Sequence, residues 1–271
     1  MKWTATRIKA CKGVEKVVCL TAGDFATACL LDAAGLHLVL VGDSLANTLL
    51  GYETTLPVTM EQMLHHTAAV VRGVRQALVV ADMPFMSYQV SDEQALTNAG
   101  RFLKEAGADA VKIEGGRVRQ SCVRRLTENG IPVLGHIGLT PQSIRAMGGY
   151  KVQGRLPAEA EALLADAAAL EAAGVFGIVL ECVPRELAAQ ITAAVSVPTI
   201  GIGAGAACDG QVLVTSDMLG IASAVAPSFV KRYAELGQAM TAAFEAYRDD
   251  VASGRFPDAA HSFPRPDGAQ A

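Results

Sequence analysis

The sequence predicts a single-domain α/β fold, a (β/α)8 barrel of the TIM type, and three observations predict it. First, three segments share one grammar: DAAGLHLVLVGDS (32–44), KEAGADAVKIEGG (104–116) and EAAGVFGIVLECV (171–183). In each, a polar, Ala-rich helix end is stopped by a glycine (Gly35, Gly107, Gly174), the residue that adopts positive φ without a Cβ clash. A short, branched apolar run follows, and it reads as a strand buried on both faces. Second, each run closes on an acid: Asp43, Glu114 and Glu181. Third, five further segments carry the strand half of the grammar, which gives eight strands with helical patterns between them. One shared mouth, where the C-terminal ends of barrel strands converge, accounts for so many polar strand ends better than the alternative, a doubly wound open sheet.

Taken in order, VVCLTAGD (17–24) opens the series and LVLVG leads to Asp43. MEQMLHHTAAVVRGV (60–74) has helical spacing; ALVVADMPF (77–85) follows, ends in Asp82 and is closed by Pro84. Adjacent residues diverge on a helix, so His65 and His66 do not form a metal pair. DEQALTNAGRFLKEAG (92–107) is the next helix, and AVKIEGG (110–116) the next strand. Lys112 and Glu114 stand two apart and therefore project from one face. IPVLGHIG (131–138) carries His136, AEAEALLADAAALEAAG (158–174) is helical, and IVLECV sets Glu181 on the face of Val179. VPTIGIGAG (197–205) places Gly201, Gly203 and Gly205 on one strand face, for close approach by a ligand or for tight packing at a barrel corner. No helix visibly opens there, so a dinucleotide fingerprint is a poor match. QVLVTSD (211–217) ends in Asp217 and completes the eight. The domain covers 1–271, with a tail from about 253 whose Pro, Ala and Gly content predicts flexibility.

With 51% hydrophobic and 18% charged residues among 271, the chain can bury a large core. A net charge of −4 without any run of Lys or Arg excludes nucleic acid and an anionic membrane surface as partners. The six cysteines show no CxxC spacing, which suits a reducing cytoplasm. The N-terminus has no apolar signal core, and the uncharged span 187–208 is interrupted by Gln190, Ser196 and Pro198.

Asp43 and Asp82 each follow an apolar run, where a carboxylate is costly unless paired or bound to a metal. With Glu114 on the next strand they form an all-oxygen cluster suited to a hard divalent cation such as Mg2+. Taken singly, each aspartate also reads as a helix cap. Lys112 has three readings: a structural ion pair, an anchor for an anionic substrate beside the metal, and a Schiff-base amine, the last redundant beside a metal. Glu181, among apolar neighbours, reads as a proton acceptor or as one half of a salt bridge. His136 reads as a substrate or carboxylate contact, or as a satisfied core histidine. The residues thus point to metal-assisted chemistry on a small anion.

The segments VGDSLANTLLGYETTLPVT (41–59), ADMPFMSY (81–88), VKIEGG (111–116), GHIGLTPQS (135–143), GGYKVQGR (148–155), VLECVP (179–184) and IGIGAGAACDGQVLV (200–214) resemble the ketopantoate hydroxymethyltransferase (3-methyl-2-oxobutanoate hydroxymethyltransferase) family. The matches keep the family's order from about residue 4 to His261-Ser262-Phe263. The resemblance implies a magnesium enzyme of pantothenate and coenzyme A synthesis. It implies transfer of a one-carbon unit from 5,10-methylenetetrahydrofolate to 3-methyl-2-oxobutanoate through a Mg-stabilised enolate, giving 2-dehydropantoate. Carried over by motif, Asp43 and Asp82 hold the metal, with Glu114 a ligand or directly behind one. Ser44, Lys112 and His136 join the two aspartates around the keto acid, and Glu181 accepts the proton. Ring-like homo-oligomers, commonly decamers, are implied as well. Lys112 and Glu114 would then be one anion contact and one metal contact on a single rigid strand.

The sequence departs from the family at Gly23, where a tyrosine is usual in T-A-Y-D, at Ser216, where a histidine is frequent, and at Ala46, where a glycine is common. These positions bear on substrate fit, loop mobility and subunit contacts. Two other functions were open to such a chain. A barrel carbon–carbon lyase would use the same acids but would carry a cysteine-bearing catalytic loop, which is not found. A binding or scaffold barrel would have lost one of Asp43, Asp82, Lys112 or Glu181, and all are present.

Overall fold

The structure, a computed structural model, describes residues 1–221 and 227–264. Strands β1 (Val17–Thr21), β2 (Leu38–Val41), β3 (Leu78–Asp82), β4 (Ala110–Glu114), β5 (Val133–Gly138), β6 (Gly177–Glu181), β7 (Thr199–Ile202) and β8 (Gly210–Leu213) form a closed parallel barrel in chain order, with β8 paired back onto β1. The helices are α1 (Ala5–Ala10), α2 (Phe25–Ala33), α3 (Leu45–Thr48), α4 (Met60–Gly73), α5 (Asp92–Lys104), α6 (Gln120–Glu128), α7 (Ile144–Met147), α8 (Pro157–Ala172), α9 (Arg185–Ala194), α10 (Thr215–Met218) and α11 (Leu236–Ala252). None of the described helices is long and apolar enough to cross a membrane.

Local chemistry sets these boundaries. Thr59 and Gln62 form a capping box on α4, the Ser91 hydroxyl accepts from the Gln94 N–H on α5, and Asp24 accepts from the Thr27 N–H on α2. The three expected helix stops have φ of +78° at Gly35, +77° at Gly107 and +92° at Gly174.

Strand alternation then sorts the side chains into two layers. Cys19, Leu40, Val80, Leu134, Val179 and Ile200 fill the barrel interior, and Ile8 of α1 joins that layer. The opposite set, including Val39, Val79, Val111 and Ile178, packs under the helices against Ala28, Val70, Phe102, Leu126 and Leu170. Asp82, Lys112, Glu114, His136 and Glu181 continue the inward parity of Val80, Ala110, Leu134 and Val179 at the C-terminal ends of their strands.

A buried carboxylate just before β8 ties several segments together. Asp209 accepts from Lys12 Nζ at 2.8 Å and from the N–H groups of Thr199 at 2.9 Å and Gly13 at 3.3 Å. Burial pushes its carboxyl up, but the Lys12 ammonium and the backbone donors outweigh this and hold it below its ordinary range.

Two expectations need correction. The last strand ends at Leu213, and Asp217 lies on α10. Thr215 turns the chain there: its N–H donates to Thr21 Oγ1 at 3.1 Å and its hydroxyl donates to the Thr21 carbonyl. Of the three glycines in VPTIGIGAG, only Gly201 is on a strand; Gly203 and Gly205 have φ of +64° and +85° in the following turn. Packing explains them. A Cβ would sit 2.9 Å from the Phe229 ring at Gly203 and 2.6 Å from Arg185 Cβ at Gly205.

The chain packs as two units, Met1–Thr215 with Ser228–Val230, and Ser216–Pro227 with Lys231–Ala271. The first contains the barrel. In the second, α11 carries no buried residue, and Met240, Phe244, Tyr247 and Val251 are exposed at spacings that share one helix face. Within the tail expected from about 253, Asp258 caps a single turn at Ala259–His261, and 265–271 lie outside the described residues.

Candidate active site

Strand register brings the sequence-predicted residues to one mouth. Asp82 of β3 pairs in register with Lys112 of β4, Glu114 with His136 of β5, and Gly138 with Glu181 of β6. Asp43 follows β2, and its N–H donates to Asp82 Oδ2 at 3.2 Å. Asp43, Asp82, Lys112, Glu114 and His136 are all buried, whereas the Glu181 side chain keeps 17% exposure at the rim. Ser44 is partly buried next to Asp43 and makes no capping bond to α3.

Lys112 is the electrostatic centre. Its Nζ donates to both oxygens of Asp82 at 2.7 Å and stands 3.4 Å from Glu114 Oε1. Burial disfavours the charged amine, yet Asp82, Glu114 and Asp43 overcome that and raise it above its ordinary range. An ammonium held this firmly is not a neutral nucleophile, so the geometry speaks against the Schiff-base reading. The ion-pair reading is realised in the bonds to Asp82.

The acids differ from one another. Burial, then repulsion from Asp82 and Glu114, drives the Asp43 carboxyl well above its ordinary range. Burial also raises Asp82, against the pull of Lys112. Glu114 is buried too, but Lys112 and His136 lower it. His136 bridges two carboxylates, with Nδ1 3.4 Å from Glu114 Oε1 and Nε2 3.2 Å from Glu181 Oε2, both without good hydrogen-bond alignment. Burial and Lys112 oppose its protonation, and the two glutamates outweigh them, raising it to about 9.

Two residues important to this geometry had no sequence reading of their own: Tyr88 in ADMPFMSY and Gln142 in GLTPQS. Tyr88 donates its hydroxyl hydrogen to Gln142 Oε1 at 2.6 Å, and Gln142 donates from Nε2 to Asp43 Oδ2 at 3.0 Å. The available signal was a polar side chain a few residues past the end of a strand, too common a pattern to single them out. At the departure Gly23, a Cβ would sit 2.3 Å from Leu49 Cδ1, so Leu49 takes the space beside it, and the Gly23 carbonyl accepts from His66 at 2.6 Å.

Asp43, Asp82 and Glu114 each offer one carboxylate oxygen, and these oxygens lie within 4.8 Å of one another. Three buried, mutually repelling carboxylates beside a single lysine form an electron-rich, all-oxygen donor set, which fits a hard divalent cation.

A family model described as ketopantoate hydroxymethyltransferase matches residues 2–259. The 3-methyl-2-oxobutanoate hydroxymethyltransferase of Syntrophus aciditrophicus is 58% identical over 249 residues, 92% of this chain and 92% of the relative. That of Moorella thermoacetica is also 58% identical over 249 residues, covering 92% and 93%. Among solved structures, phosphonopyruvate hydrolase superposes with a TM-score of 0.63 at 12% identity, over 97% of this chain and 92% of that one. A 2,3-dimethylmalate lyase of the PEP mutase/isocitrate lyase superfamily gives 0.59 at 16% identity, over 97% and 93%. Likeness at such low identity concerns the barrel alone. Matched by the family model over nearly its whole length, this chain belongs to the ketopantoate hydroxymethyltransferase family and is an enzyme of that kind.

Proposed function

We propose that the enzyme transfers a hydroxymethyl unit from 5,10-methylenetetrahydrofolate to 3-methyl-2-oxobutanoate with Mg2+, giving 2-dehydropantoate on the route to pantothenate and coenzyme A. The observation that carries this reading is the cluster of three buried carboxylates around Lys112, with Glu181 at the same mouth. Asp43 and Asp82 would hold the cation, with Glu114 as a further ligand or directly behind them. When bound, the cation supplies a Lewis acid that draws negative charge onto the keto acid's oxygens.

The remaining roles belong to side chains. Lys112 and Ser44 hold the keto acid's anionic end, while the ammonium adds positive charge where negative charge develops. Glu181, exposed to the mouth, takes the C3 proton onto a carboxylate oxygen. His136, between Glu114 and Glu181, sets positive charge beside that carboxylate. A C–C bond then forms between C3 and the one-carbon unit, the unit's two C–N bonds to folate break, and water supplies its hydroxyl. The proton taken by Glu181 and the one released by water go to the two freed folate nitrogens, giving tetrahydrofolate. Free cysteines throughout the chain support a reducing cytoplasm, and the exposed apolar face of α11 supports a homo-oligomer, a decamer on the family pattern.

Proton NMR of 3-methyl-2-oxobutanoate in D2O tests the reading. The C3 proton should exchange only with enzyme and Mg2+ together, and 2-dehydropantoate should form once methylenetetrahydrofolate is added. Absence of both from folded enzyme refutes it.

A further inference from the structure

On the reading of the three acids as a divalent-cation site, we propose that Gln142 is a positioning residue: locked by Tyr88, its amide engages one oxygen of Asp43 and leaves the other aimed at the cation. Gln142 is buried in the loop that follows β5. Its Nε2 faces two acceptors, Asp43 Oδ2 at 3.0 Å and the Met83 carbonyl at 2.9 Å. Its Oε1 faces two donors, the Tyr88 hydroxyl at 2.6 Å and Gln89 Nε2 at 3.2 Å. Rotating the amide by half a turn would set its oxygen against a carboxylate and a carbonyl, so only one orientation satisfies all four neighbours.

The same residue also reaches Glu114. The Gln142 N–H donates to Glu114 Oε2 at 3.1 Å, and the Glu114 N–H donates to the Tyr88 hydroxyl at 3.2 Å. One connected chain of bonds therefore orients two acids from separate strands. Both oxygens of Asp82 accept from Lys112; Glu114 Oε1 faces Lys112 and His136, and Glu114 Oε2 accepts from Gln142. Among the described residues, Asp43 Oδ1 alone in this set has no donor. Gln142 thus decides which Asp43 oxygen remains available, and Tyr88 decides which way Gln142 faces. Partners standing behind metal ligands in this way typically contribute about 10–100-fold in metal affinity.

Mn2+ alone is the probe, titrated into the intact protein and followed by the EPR signal of the free ion, with thermal melts of every variant. The parent should bind Mn2+ and Asp43→Asn should not. Gln142→Met, similar in length but without a donor, should weaken binding by about 10–100-fold. Tyr88→Phe should weaken it several-fold while melting close to the parent. The double variant should be no weaker than Gln142→Met, because both residues act through one chain of bonds. Gln142→Met or Tyr88→Phe binding within twofold of the parent overturns the proposal, and fully multiplicative losses overturn the single chain. Should Gln142→Met fail to fold, Tyr88→Phe still decides. A parent that binds no Mn2+ refutes the cation site itself, a result distinct from any of these.

Discussion

Replacing Lys112 with methionine keeps an unbranched, apolar side chain in the barrel interior but deletes the ammonium that stands 2.7 Å from both Asp82 oxygens and 3.4 Å from Glu114. Breaking a buried pair by removing one partner costs about 3–5 kcal/mol, since the surviving charge stays desolvated. At roughly 2–4 °C per kcal/mol for a chain of this size, the variant should melt about 6–20 °C below the parent in EDTA. Mg2+ should raise the variant's Tm more than the parent's, because the cation then supplies charge that the lysine no longer does. The pH dependence has a definite sign. In the parent, Glu114 is lowered by Lys112 and His136, against the effect of burial. A lowered carboxylate contributes stability that is present above its unfolded pKa, about 4.3, and is lost as pH falls through the folded value. Without the lysine that contribution shrinks, and Asp43 and Asp82, raised by burial already in the parent, lose the pull that opposes this and are raised further. The gap between parent and variant should therefore be widest at about pH 8 and narrow towards about pH 5. Differential scanning calorimetry with EDTA and with Mg2+ measures both effects. A gap below about 2 °C at the higher pH, or one that widens in acid, refutes the electrostatic account.

The other expectations concern different parts of the barrel. Glu181→Gln should bind Mn2+ like the parent but exchange the C3 proton at least about 100-fold more slowly in D2O; parental exchange would place the base elsewhere. In Gly138→Ala the new Cβ would lie 2.3 Å from the Glu181 carbonyl oxygen at a φ of +95°. A loss of about 2–4 kcal/mol by urea titration and slower proton exchange should follow, and wild-type values of both would mean the backbone relaxes there freely. Asp209→Asn removes a carboxylate that binds Lys12 and two backbone N–H groups. Its lowered carboxyl gives stability present above about pH 3.9 and lost below the folded value, so the variant should be about 2–3 kcal/mol weaker at neutral pH, with the deficit closing in acid. A deficit independent of pH would mean that shape rather than charge matters at this position.

The repeating order of helix end, glycine, apolar run and acid is set by nearest neighbours, and for that reason it was legible in the chain. Gly35, Gly107 and Gly174 have the left-handed φ expected of helix stops, and Lys112 and Glu114 share the inward face that a two-residue period requires. Parity along a strand also put Glu181 on the face of Val179 before any partner was known. Local rules failed where the chain stops being periodic. Asp217 looks like a strand-terminal acid, but Thr215 is drawn onto Thr21, almost 200 residues earlier, and turns the backbone into α10. Gly203 and Gly205 read as a strand face because their spacing is even; the packing of Phe229 and Arg185 makes them a turn. The same limit hid Tyr88 and Gln142. Their meaning lies in hydrogen bonds between loops that follow different strands, and composition does not encode which loops meet. The sequence by itself determined the barrel, its inward faces and the acids at its mouth, because these follow from short-range periodicity and burial. Only the tertiary structure decided which oxygen of each acid is occupied, since barrel closure brings loops distant in sequence within hydrogen-bonding distance.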